Sequence, residues 1–116
     1  MSQSSFVTSG LVGNVMVARL EREKITEHEC QVILAELTNA AAQCHNHLAV
    51  DLSMVTLIAS AGLGALITLN KTIKGKGGKV VFFNMSDDLM QVFKLTRLNT
   101  LLSIVKDRDA AVKAAL

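Results

Sequence analysis

The chain has 116 residues, which suits one compact domain spanning 1–116 and leaves no room for two. Half of the residues are apolar, 19 % are charged, and the formal net charge is +2; a core can be buried, but there is no broad basic field of the kind a nucleic-acid binder needs. No stretch nears the roughly 20 apolar residues that cross a bilayer, and Met1 to Ser9 lacks the basic and apolar regions of a secretory leader, so a cytoplasmic chain with no membrane-inserted segment is expected.

Phe6 to Ser9 and Met16 to Leu20 read as short strands, joined into a hairpin through Gly10, Gly13 and Asn14. Thr26 is placed to cap a helix, with Glu27 and Glu29 in its first turn, where the helix dipole favours negative charge. Cys30, Ile33, Leu37, Ala41 and Cys44 follow at steps of three or four and make one buried stripe, ending near His45 and Asn46. That spacing makes the two cysteines small core residues rather than a disulfide. His45 and His47 stand close to Cys44 and could donate to a metal, but no fourth ligand is evident and no metal site is assigned.

Leu48, Val50 and Leu52 alternate as in a buried strand. A connector, Met54 to Ala59, leads to a helix that begins at Ser60 and carries Leu63, Leu66, Ile67 and Ile73 at helical spacing. Ser60 reads as its cap, and Gly62 and Gly64 as positions that let helix and sheet approach closely. The turn Gly75-Lys-Gly-Gly78 stops this helix. Lys71, Lys74, Lys76 and Lys79 cluster around the turn with no aromatic residue between them, so base stacking has no platform there and they read as a solvated helix end. Val80 to Phe83 is a buried strand. Ser86 caps the next helix, with Asp87 and Asp88 in its first turn and Leu89, Val92 and Phe93 inward. Leu101 to Val105 reads as a last strand, and Asp107 to Leu116 as a final helix with apolar positions at Ala110, Ala111 and Ala114. The order β-β-α-β-α-β-α-β-α implies an α/β domain: a small mixed, mainly parallel sheet with helices packed on it.

Catalysis finds no support in these residues. There is no Cys–His or Ser–His–Asp pattern of defined spacing, and no Lys-Ser or Lys-Thr pair follows Gly62-Leu-Gly64 as a P-loop requires. A non-enzymatic chain without a cofactor is expected.

The segment Val50-Asp-Leu-Ser-Met-Val-Thr-Leu-Ile-Ala-Ser-Ala-Gly-Leu-Gly-Ala-Leu66 resembles the central signature of the STAS family, the domain of anti-sigma factor antagonists. Lys79-Val-Val-Phe-Phe-Asn84 after its glycine turn is similar to the family's next strand, and Val92-Phe-Lys-Leu-Thr-Arg-Leu98 with Leu101 and Leu102 to its closing helix. The resemblance implies partner switching. The unphosphorylated domain would bind an anti-sigma factor that is also a serine kinase and so free a sigma factor. Phosphorylation of the serine at the start of the central helix, here Ser60, would break that complex, and a serine phosphatase would restore it. It also implies a binding face around Ser60, the 21–25 loop and the start of the 86–97 helix, with Glu23, Ile25, Ala59, Ser60, Gly62, Leu63 and Met85 as contacts. Met54 and Met85 are candidates for adaptable apolar contacts at strand ends, against the alternative that both are core. Two departures stand out. Ala59 occupies the position before the serine where many members carry an acidic residue. The 21–25 loop lacks the usual glycine-acidic-aspartate pattern, with Glu23 as the candidate substitute. Single STAS domains also occur in transport ATPase complexes, so a non-phosphorylated structural subunit is the alternative implied.

Overall fold

The computed structural model describes residues 2–3 and 6–116; residues 1, 4 and 5 of the segment read for a leader lie outside the described residues. Strand β2 (Val7–Val12) and strand β3 (Val15–Leu20) form the expected hairpin, but both are longer than the sequence pattern suggests. Val12 pairs with Val15, so the turn is only Gly13-Asn14, and Gly10 lies inside β2 opposite Val17. Gly13 has φ +61, which places glycine at the first central position, as a type II′ hairpin requires. β1 (Ser2–Gln3) pairs antiparallel with β2.

The rest of the main sheet is parallel. β5 (His47–Asp51) lies between β3 and β7 (Lys79–Phe83), and β8 (Ser103–Ile104) closes the edge, giving the order β1-β2-β3-β5-β7-β8. The pleat sorts the side chains. Leu48, Val50, Val80 and Phe82 face a large core shared with α1 (Glu27–Ala42), α2 (Ser60–Gly75) and α3 (Asp87–Leu95), while Ala49, Val81 and Phe83 face a smaller one under α5 (Arg108–Ala114). The sheet is therefore a middle layer, with α1, α2, α3 and the short helix α4 (Leu98–Leu101) on one side and α5 on the other.

Three expectations need correction. The stretch 101–105 is not one strand: a short helix α4 (Leu98–Leu101) runs into it, and the Leu102 N–H donates to Leu98 O at 2.9 Å. Only Ser103 and Ile104 are left to join the ladder. In α5 the buried residue is Ala111, joined one turn later by the C-cap Ala115 on the same face, while Ala114 is exposed and Ala110 half-buried. The chain also forms a second sheet of two residues per strand, β4 (Lys24–Ile25) with β6 (Leu57–Ile58), out of segments read as loop and connector.

The cysteines are buried and free, and both are used inside the fold. Cys30 Sγ donates to Glu27 O at 3.3 Å and Cys44 Sγ to Asn14 O at 2.9 Å. His47 Nδ1 lies 2.6 Å from Ala115 O; a carbonyl only accepts, so Nδ1 carries the proton and ties α5 to β5. Among the described residues no helix is long and apolar enough to cross a membrane.

Candidate functional site: the platform beneath Ser60

Parallel topology brings the loops after β3, β5 and β7 to the same end of the sheet, where a site built from several segments can form. After β5 the chain makes a fixed corner. The Ser53 N–H donates to Asp51 Oδ1 at 2.8 Å, and Asn84 Nδ2 reaches the same oxygen at 3.3 Å from the end of β7. The Val55 N–H closes onto Leu52 O at 3.0 Å, and Val55 is buried.

The connector then runs beside the 21–25 loop. Glu23 O accepts from the Thr56 N–H at 2.7 Å, the Leu57 N–H at 3.1 Å and the Thr56 hydroxyl at 3.1 Å. Lys24 pairs with Leu57 and Ile25 with Ile58. The Ala59 N–H donates to Ile25 O at 2.8 Å. The loop's near end is held as well: the Glu21 N–H donates to Phe6 O at 2.7 Å, and the Arg22 guanidinium sits 4.5 Å from the centroid of the Phe6 ring, a cation–π contact. Its far end leads into α1, where the Glu29 carboxylate accepts from the Thr26 N–H at 2.9 Å and from the Thr26 hydroxyl. Those hydrogen bonds hold Glu29 below the ordinary carboxylate range.

Helix α2 rises from this platform, but Ser60 is not its cap. Ala59 is the cap residue, with extended backbone (φ −71°, ψ 165°), and its carbonyl accepts the Leu63 N–H at 3.0 Å. Ser60 is the first helical residue and its side chain is exposed. The hydroxyl is thus free of a capping duty and lies where the unpaired N–H groups of the first turn and the positive end of the helix dipole favour an anion.

The two glycines differ. A Cβ on Gly62 would stand 2.7 Å from Ile58 Cγ2 and 3.0 Å from Ile25 Cγ2, so the first turn of α2 rests directly on the β4–β6 pair. A Cβ on Gly64 would meet nothing within 4 Å; close approach needs Gly62 alone.

The residues expected at the site divide accordingly. Ala59, Ser60, Gly62, Ile25 and the Glu23 backbone are brought together. Ile25 and Gly62 are buried, so they support the surface rather than contact a partner. Leu63 is half-buried and packs on the main core. Met85 is half-buried too; it packs on the main core and lines a groove with Met90, Ile104 and Val105. Met54 is 42 % exposed, against its reading as core, and Leu57, which sequence reasoning passed over, is 52 % exposed. The connector that leads to Ser60 thus exposes two apolar side chains, six and three residues before it. The signal for Leu57 was there in outline: it alternates with buried Ile58 on a paired strand, once the pairing is known.

A family profile for the STAS domain matches residues 11–111. The chain belongs to the STAS domain family. Its α/β architecture is that of solved STAS folds. The anti-sigma factor antagonist of Mycobacterium paratuberculosis superposes with a TM-score of 0.80 at 18 % identity, covering 94 % of this chain and 92 % of that one. The Bacillus cell fate determinant SpoIIAA in its phosphorylated form superposes with a TM-score of 0.66 at 17 % identity, covering 93 % and 98 %. In sequence, the anti-sigma-B factor antagonist of Listeria monocytogenes is 32 % identical over 57 residues, which are 49 % of this chain and 50 % of that protein. The matched stretch spans about half the length of that relative. This STAS domain places Ser60, the first residue of α2, on a platform fixed by backbone hydrogen bonds from two other segments.

Proposed function

We propose that this STAS domain is an anti-sigma factor antagonist that works by partner switching in the cytoplasm, as a binding module without catalysis of its own. Unphosphorylated, it binds an anti-sigma factor with serine-kinase activity; phosphate on Ser60 ends the complex, and a serine phosphatase resets it. The observation that carries this reading is Ser60 itself: an exposed hydroxyl in the first turn of α2, uncommitted to capping, after a connector that exposes Met54 and Leu57. The names of the Listeria and Mycobacterium relatives support the antagonist class, and the phosphorylated form solved for the Bacillus protein supports a phosphate-controlled one.

The chemistry is consistent with a switch. A phosphoserine brings about −1.5 to −2 charges and three acceptor oxygens. At the head of α2 the N–H groups and dipole hold that charge without refolding the domain. Against a partner seated on Met54 and Leu57, the same charge must be desolvated in an apolar contact, which weakens the complex. Ala59 leaves that corner without the acidic neighbour usual in the family, so recognition by the kinase rests on the shape of the platform.

Affinity measurements with the cognate anti-sigma factor test this. Ser60→Asp is expected to weaken binding by more than about 1.4 kcal/mol, a tenfold loss, and Ser60→Ala to bind whether or not kinase and ATP are present. Equal affinity of the wild type and Ser60→Asp contradicts the switch. Capture of a transport ATPase in place of an anti-sigma factor, with Ser60 unmodified in cells, supports the structural-subunit alternative.

A further inference from the structure

The end of α2 away from Ser60 carries a surface of different chemistry. From Leu52 to Lys106 the chain has seven lysines and arginines and only two acids, Asp87 and Asp88, both in the first turn of α3. Two leucines protrude from this segment: Leu95 is 82 % exposed and Leu101 is 57 % exposed. Leu95 lies on the side of α3 opposite the buried Leu89 and Phe93. Arg97, in the left-handed conformation at φ +61°, turns the chain into α4, which ends on Leu101.

One hydrogen bond fixes this corner against α2. Asn70 Nδ2 donates to Leu101 O at 3.2 Å. Lys71 follows Asn70 in sequence, and Lys74 lies one turn further along the same side of α2; both are exposed, as are Lys94 and Arg97. None of these four cations is paired with a carboxylate among the described residues. Asp88 shares the Leu95 side of α3 but sits two turns away, roughly 10 Å along the axis, about one screening length at moderate salt.

Exposed leucines in a field of unpaired cations call for a complement that is anionic at its surface and apolar just beneath. A nucleic acid would use the cations but leave the leucines in water, and stacking would need an aromatic platform. Phe82, Phe83 and Phe93 are buried, and Phe6 packs against the core. A bilayer with anionic headgroups satisfies both features: the cations meet the headgroups and the leucines reach the acyl boundary.

We infer that the α3–α4 corner and the C-terminal half of α2 form a peripheral docking surface for an anionic lipid bilayer, with Leu95 and Leu101 at the interface and Lys71, Lys74, Lys94 and Arg97 on the headgroups. This is adsorption, not insertion of a spanning segment. With 16 residues, α2 is roughly 24 Å long, so the Ser60 end stands clear of the surface and remains open to a protein partner.

Vesicle co-sedimentation of the full chain tests the inference, with phosphatidylcholine alone or with about one third phosphatidylserine. Binding is expected to the anionic vesicles only and to fall as salt rises. Each cation near such a surface is worth about a fivefold change in affinity, so Lys71→Gln with Lys74→Gln should weaken binding about 25-fold. Leu95→Ser with Leu101→Ser should weaken it about tenfold, with an unchanged circular dichroism spectrum because both side chains are exposed. No binding to anionic vesicles, equal binding to neutral ones, or wild-type binding by the leucine pair variant overturns the inference. So does equally tight binding to single-stranded DNA, which would make this a general polyanion surface.

Discussion

Replacing Gly62 by alanine adds one methyl group at the point where α2 meets the β4–β6 pair. In a helix interior the exchange gains about 1 kcal/mol from backbone propensity. Here the new carbon would stand 2.7 Å from Ile58 Cγ2 and 3.0 Å from Ile25 Cγ2, where relaxed carbon contacts are about 3.5–4.0 Å. Both neighbours are β-branched and buried, so neither can swing away by a small torsion. Overpacking of this kind costs about 1–3 kcal/mol, and the net change should be a loss of about 1 kcal/mol. Gly64 is the internal control. It lies two residues further along the same helix, its backbone is not left-handed, and a Cβ there meets nothing within 4 Å. Gly64→Ala should therefore stabilise by up to about 1 kcal/mol. For a domain of this size the pair should differ in Tm by roughly 8 °C, measured by thermal unfolding under one buffer. Equal melting temperatures, or a more stable Gly62→Ala, would refute the close seating of α2 on the platform. The same displacement at the head of α2 should weaken the proposed anti-sigma complex in Gly62→Ala and leave it unchanged in Gly64→Ala.

Three further outcomes follow from particular contacts. Ser60→Ala should change stability by less than about 0.5 kcal/mol, below the ~1 kcal/mol of a lost cap, because Ser60 makes no capping hydrogen bond; urea unfolding reads this directly. Gly78→Ala should cost about 3 kcal/mol or prevent folding, since its Cβ would stand 2.1 Å from the backbone Asn46 O, which cannot move like a side-chain tip; soluble yield and urea midpoint report it. Glu29 is held below the ordinary carboxylate range by Thr26, so its contribution is present above the unfolded pKa and is lost as pH falls through the lower folded pKa. Glu29→Gln should flatten the acid limb of a stability–pH curve, and an unchanged limb would contradict the capping contact.

Much of the fold was legible because its signals are local. The alternation of Leu48, Val50 and Leu52, the stripe from Cys30 to Cys44 and the glycine turn at 75–78 each specify an element without reference to the rest of the chain. What escaped the sequence is long-range. β4 and β6 have two residues each, too short for any period, and their pairing is set by segments about 33 residues apart. That pairing also decides the site. It draws the Ala59 N–H onto Ile25 O, holds Ala59 extended, and moves the cap one residue ahead of Ser60. It separates Gly62, which touches the platform, from Gly64, which does not. Met85 follows β7 in the chain, while its packing on the main core and its place in a groove with Met90, Ile104 and Val105 depend on α3 and β8, which no local pattern shows.

The central claim is that phosphate on Ser60 controls a protein complex. It is met most directly by incubating this STAS domain with ATP and the kinase-type anti-sigma factor proposed as its partner, after the two are purified as a complex. Intact mass and peptide mapping then locate any phosphate, while size-exclusion chromatography follows the complex. The account predicts one phosphate per chain, on Ser60, appearing together with dissociation. Phosphate on Ser53 or Thr56, or a complex that persists with Ser60 fully phosphorylated, would contradict it.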